Sequence, residues 1–83
     1  MNKFYKITNQ NELNTIQNKL IEKGYKTPNG ELLTMDDFKK AYPKNKIYLI
    51  NAYYNTINKK YEYIGGTKQI YERNYNKKIK FEN

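Results

Sequence analysis

The stretch from Lys46 to Gly66, KIYLINAYYNTINKKYEYIGG, limits what this chain can fold into more than any other. Ile47, Leu49, Ile50, Ala52 and five tyrosines flank a polar interruption from Asn55 to Lys60. β-Branched and aromatic residues suit a pleated, half-buried surface, and Asn-rich stretches favour turns, so the pattern predicts two strands and a hairpin turn. Lys59 and Lys60 fall in that turn with tyrosines of both parities beside it. The hairpin is therefore both the expected scaffold and the expected working surface.

The elements before it follow from local signals. Lys3 to Thr8, KFYKIT, alternates as a short first strand. Asn9 followed three residues later by Glu12 resembles a capping box, and Leu13, Ile16, Leu20 and Ile21 recur at helical spacing. Gly24 supplies a left-handed cap, and Lys19 and Lys23 lie near the C-terminal dipole, which predicts a long amphipathic helix over Gln10 to Lys23. In Tyr25 to Leu33, Pro28 and Asn29-Gly30 read as the turn of a second hairpin. Thr34, with Asp36 and Asp37 ahead of Phe38, Ala41 and Tyr42, predicts a short second helix ended by Pro43. The two adjacent carboxylates are helix-start residues on this reading, since neighbours in sequence do not face one another as a metal or acid–base pair would.

After the hairpin, Gly65-Gly66-Thr67-Lys68 reads either as a strand exit or as a backbone nest for a phosphate, without the spacing of a Walker loop. TKQIYERNYN suggests a capped short helix with Tyr71 and Tyr75 on one face, and Lys77 to Phe81, KKIKF, alternates like a final strand. The expected fold is α+β, a single domain over residues 1–83, with the amphipathic helix packed on a mainly antiparallel sheet of three to five strands.

Composition narrows the chemistry. The chain has no Cys, His or Ser, so thiolate metal sites, disulfides and the familiar nucleophile triads are out of reach. A nucleophile would have to be Thr, Tyr or a Lys of lowered pKa, so a protein that is not an enzyme, with no cofactor and no metal, is expected. No run approaches the ~20 apolar residues of a membrane span, and the start lacks the apolar core of a signal peptide, so the expectation is a soluble, cytoplasmic protein with no membrane partner.

The formal net charge is +8. Asn, Lys, Ile and Tyr make up 47 of 83 residues, and their AT-rich codons could raise Lys and Tyr without selection for binding. The distribution says more than the total. Met1 to Ala41 carries seven Lys against five acids, whereas Tyr42 to Asn83 carries eight Lys and one Arg against three. The candidate binding set is Tyr53, Tyr54, Lys59, Lys60, Tyr61, Tyr63, Lys68, Arg73, Lys77 and Lys78. Aromatic faces beside cations hold single-stranded nucleic acid, and tyrosine and arginine equally anchor protein interfaces. A further alternative is that one tyrosine parity packs on the helix while the other decorates a solvated face.

The order of strand, NQNELNTIQNKLIEKGY helix, turn and tyrosine-rich hairpin, in an Asn/Lys/Tyr-heavy chain, resembles the small proteins of bacteriophages and mobile elements of low-GC bacteria. That setting includes anti-CRISPR and other anti-defence proteins. The resemblance implies a stoichiometric inhibitor whose partner is a bacterial defence effector protein or ribonucleoprotein. The rival readings are direct binding of RNA or single-stranded DNA, and a sponge for an anionic nucleotide using Gly65 to Lys68.

Overall fold

A computed structural model describes residues 2–83 and shows an α+β fold. In chain order the elements are β1 (Lys3–Ile7), α1 (Gln10–Glu22), α2 (Met35–Ala41), β2 (Tyr48–Asn55), β3 (Lys60–Gly66) and α3 (Lys68–Tyr75). The three strands form one antiparallel sheet in the order β1-β2-β3, so the Lys46–Gly66 hairpin supplies its centre and one edge.

The local signals work through identifiable bonds. Asn9 is extended and its Oδ1 accepts the Glu12 N–H at 2.9 Å. Glu12 reaches one residue further back than a standard capping box, accepting both the backbone N–H and the hydroxyl of Thr8. Those bonds from Thr8 hold the Glu12 carboxyl below its ordinary range. At the other end Gly24 takes φ +95°, Gly24 N–H donates to Ile21 O and Tyr25 N–H donates to Leu20 O. That is a Schellman closure, which satisfies carbonyls the last turn would otherwise leave bare. The helix is 13 residues, ending at Glu22, and is shorter than the long helix expected. α2 carries the full capping box, with Thr34 and Asp37 exchanging side chain and backbone bonds.

Leu13, Ile16 and Leu20 of α1, with Met35 and Phe38 of α2, bury against Ile7, Tyr48, Ile50, Ala52 and Tyr63 of the sheet. One helix over one face was expected, but the other face is covered too. α3 lays Tyr71 against Phe4 edge-on, with ring centroids 5.5 Å apart. β2 is consequently buried at every position from Tyr48 to Ala52. A strand covered on both faces reads as a continuous apolar run, as YLINA nearly does.

The paired glycines serve that sandwich. A Cβ on Gly65 would lie 2.6 Å from the Phe38 ring on one face, and a Cβ on Gly66 would lie 2.6 Å from the Tyr71 ring on the other. Each glycine lets an aromatic ring touch the backbone.

Two expected elements are different in fact. Tyr25 to Leu33 is not a hairpin: Lys26 alone pairs in parallel with the outer edge of β3, donating to Tyr61 O and accepting from Tyr63 N. Pro28 denies the ladder a donor two residues on, and a Thr27–Gly30 turn follows. Lys77 to Phe81 is not a full strand either. Phe81 makes one parallel bridge to Phe4, and the Asn83 side chain bonds Lys6 N and O at 2.7 and 2.9 Å, so the tail covers the β1 edge.

Candidate functional site

With both faces of the sheet occupied, the end of the β2–β3 hairpin is what the fold leaves projecting. Asn55 closes it: its Oδ1 accepts the N–H groups of Ile57 and Asn58 at 2.9 and 3.1 Å, and Lys59 completes the reversal at φ +56°. The amide of the same Asn55 donates to Glu62 Oε1 at 2.9 Å, and the Tyr53 hydroxyl donates to that oxygen at 3.1 Å. These bonds, Asn55 foremost, hold the Glu62 carboxyl below its ordinary value, and Lys60 adds to the effect. Burial, followed by the bond to Glu62, pushes the Tyr53 phenol up to about 12. The turn is thus braced from behind by a carboxylate that two neutral donors keep ionised.

The brace carries an apolar residue into solvent. Ile57 is 90% exposed at the tip, an arrangement with no packing role in the folded monomer. On the α1 side of the hairpin end, Tyr61 meets Tyr54 and Tyr25 edge-to-face, with ring centroids 4.9 and 5.2 Å apart. Tyr54 and Tyr61 remain 40% and 51% exposed. Beside them lies a groove of about 620 Å³, walled by the Gly24–Gly30 loop and floored by Lys60, Tyr61 and Glu62.

The expected binding set is divided by this geometry. Tyr54, Lys59, Lys60 and Tyr61 come together at the hairpin end. Tyr53 points to the opposite face of the sheet, where it serves Glu62. Tyr63 is not a surface residue: it is 1% exposed, and its hydroxyl donates to Gln17 Oε1 at 2.6 Å inside the core. Tyr63 pairs with Ala52 on the face that α1 covers, one step further from the turn than the exposed Tyr54–Tyr61 pair of the same face. Lys68 opens α3 and lies 3.9 Å from Glu72, while Arg73, Lys77 and Lys78 are exposed on and after that helix, off the hairpin.

The Gly65–Lys68 nest is also corrected. Neither glycine has the positive φ that a nest needs, both pair within β3, and Thr67 is the buried N-cap of α3. Among the described residues no group of three or more acidic side chains converges as a metal site, and no helix is long and apolar enough to cross a membrane.

Three residues of the site escaped the sequence reading: Ile57, Tyr25 and Lys26. Ile57 had a visible signal, since it is the one apolar residue in the polar run NTINKK. Tyr25 and Lys26 had none, because their place depends on the single long-range bridge to β3. No protein-family model, curated protein or solved structure matches this chain.

Proposed function

We propose that this chain is a non-enzymatic inhibitor that occupies the surface of a bacterial defence protein, with a CRISPR effector complex as the first target to test. The observation that carries the binding part is the hairpin end: Ile57, Tyr54 and Tyr61 exposed together on a turn that Asn55 and Glu62 fix in place. A rigid apolar and aromatic projection with lysines at its rim has the make-up of a protein-interface anchor, whose core is aromatic and apolar and whose rim is polar. The tyrosines meet one another ring edge to ring face, which suits burial against a protein better than insertion between stacked bases. The inhibitory role rests on the size of the chain, its lack of Ser, His and Cys, and its likeness in layout to phage-borne proteins.

A plaque assay on a CRISPR-immune host expressing the chain tests both parts. The wild-type chain restores infection; Ile57→Asp and the Lys59→Glu/Lys60→Glu double variant lose that effect while melting within a few degrees of wild type, because exposed positions contribute little to stability. Infection that stays blocked with the wild-type chain overturns the defence target. Restoration that survives both variants overturns the hairpin end as the surface.

A further inference from the structure

The groove beside the hairpin end has features that specify what enters it, given the protein-binding reading on which the following rests. One wall is the Gly24–Gly30 loop, which is tied by its own bonds: Thr27 Oγ1 donates to Glu31 O at 2.6 Å, Asn29 Oδ1 accepts Glu31 N–H at 3.0 Å, and Gly30 N–H donates to Thr27 O at 3.1 Å. The wall therefore needs no ordering when a partner arrives.

The floor is a strand edge. Lys26 uses Tyr61 O and Tyr63 N–H, so both of those groups point away from β2. In an antiparallel ladder alternate residues turn their peptide groups outward together, so the Tyr61 N–H turns to the same side as the Tyr61 O that Lys26 holds, and no backbone group of the Gly24–Gly30 loop bonds it. An extended chain laid along this edge finds a peptide donor waiting for its carbonyl.

The charges favour an anion. Lys26 and Lys60 both line the groove, and among the described residues the one ion pair is Lys68–Glu72, so neither ammonium group is neutralised by a salt bridge. Glu62, the one carboxylate among the residues that line the groove, has Oε1 taken by Asn55 and Tyr53. A second copy of this chain, itself carrying +8, would be repelled.

We propose that the groove takes an extended, acidic segment of the partner protein, with its carboxylates on Lys26 and Lys60, its main chain on the Tyr61 N–H, and an apolar side chain against the Tyr61 ring. The partner face that this surface recognises is therefore a negatively charged loop or strand, and charge complementarity sets its orientation.

Fluorescence anisotropy with a labelled short peptide alternating Asp and Leu tests this, against a Lys/Leu counterpart and an oligo-dT strand. The acidic peptide saturates, and Lys26→Glu/Lys60→Glu weakens it by at least about tenfold. The same reversal at Lys39 and Lys40 on α2 does not. Amide shifts on titration centre on Tyr61. Equal binding of the Lys/Leu peptide, displacement of the acidic peptide by oligo-dT, failure of the acidic peptide to bind, or indifference to the Lys26/Lys60 change each overturns the proposal. In the infection assay, Lys26→Glu/Lys60→Glu retaining activity while Ile57→Asp loses it sinks the groove alone and leaves the hairpin-end reading standing.

Discussion

Replacing Gln17 by Leu should destabilise the domain far more than replacing Tyr63 by Phe, although the two side chains share a bond. Gln17 is 3% exposed and joins three elements: its Oε1 accepts Leu33 N–H at 2.8 Å and the Tyr63 hydroxyl at 2.6 Å, and its Nε2 donates to Leu33 O at 2.9 Å. Tyr63→Phe removes one donor and leaves Oε1 still bonded to Leu33, so the loss is that of one net hydrogen bond, about 1 kcal/mol. In a domain of this size that lowers Tm by about 4–8 °C. Gln17→Leu fills nearly the same volume but strands the Tyr63 hydroxyl and both Leu33 peptide groups. At roughly 1 kcal/mol or more each, the loss is about 3 kcal/mol, a large share of the ~4–12 kcal/mol expected for this length. The double variant should be no less stable than Gln17→Leu, because removing the stranded hydroxyl relieves one of the three costs. Thermal and urea melts of the four proteins measure the coupling. Additive losses would refute the shared-acceptor account, and loss of partner binding by a folded Tyr63→Phe would return Tyr63 to the surface.

Gly65→Ala should cost about 1–3 kcal/mol, since its methyl group would lie 2.6 Å from the Phe38 ring across the core; a melt unchanged from wild type would mean that α2 moves aside freely. The Tyr53–Glu62 brace should show at both ends of the pH scale. Glu62 has its pKa depressed in the fold, so its contribution is present above the ordinary 4.5 and is lost as pH falls below that value; in Glu62→Gln this part of the acid sensitivity of the melting temperature should disappear. Tyr53 has its pKa raised from 10.0 to about 12, so its contribution is present below pH 10 and is lost as pH rises toward 12, and Tyr53→Phe should remove a late step from the ultraviolet phenolate titration.

The sequence was most legible where a structure is made by residues close together in the chain. Asn9, Glu12 and Gly24 fix the ends of α1, Thr34 and Asp37 fix the start of α2, and Thr67 caps α3, each through bonds spanning a few residues. The turn at Asn55–Lys60 was equally local. What escaped were consequences of assembly. Tyr25–Leu33 has every turn signal of a hairpin, yet its Lys26 pairs with β3 because α1 delivers the chain to that edge. Gly65-Gly66 suits a phosphate nest in isolation, and only the Phe38 and Tyr71 rings pressing from two sides explain why both positions lack a side chain. Alternation could not separate Tyr63 from Tyr54, since Tyr54, Tyr61 and Tyr63 share one face and differ only in how far along it α1 reaches.

That last difference decides which tyrosine rings the fold leaves exposed. An 83-residue chain has little apolar surface to spare, yet it covers both faces of a three-stranded sheet and closes parts of both edges with Lys26 and the Phe81–Asn83 tail. Such thorough cover argues against a sheet face as the recognition surface, which is where an RNA-recognition sheet would need exposed aromatics. The helices stop short of the hairpin end, and there the chain exposes Ile57 and Tyr61 while spending Asn55, Tyr53 and Glu62 on holding the turn. If that rigidity exists for binding, Asn55→Ala should weaken the partner complex through slower, less ordered docking even though Asn55 stands behind the contact. Loosening a preorganised loop costs affinity without removing a single contact atom. An Asn55→Ala variant whose hairpin amides exchange faster in NMR but whose partner affinity is unchanged would show that the brace serves the fold and not recognition.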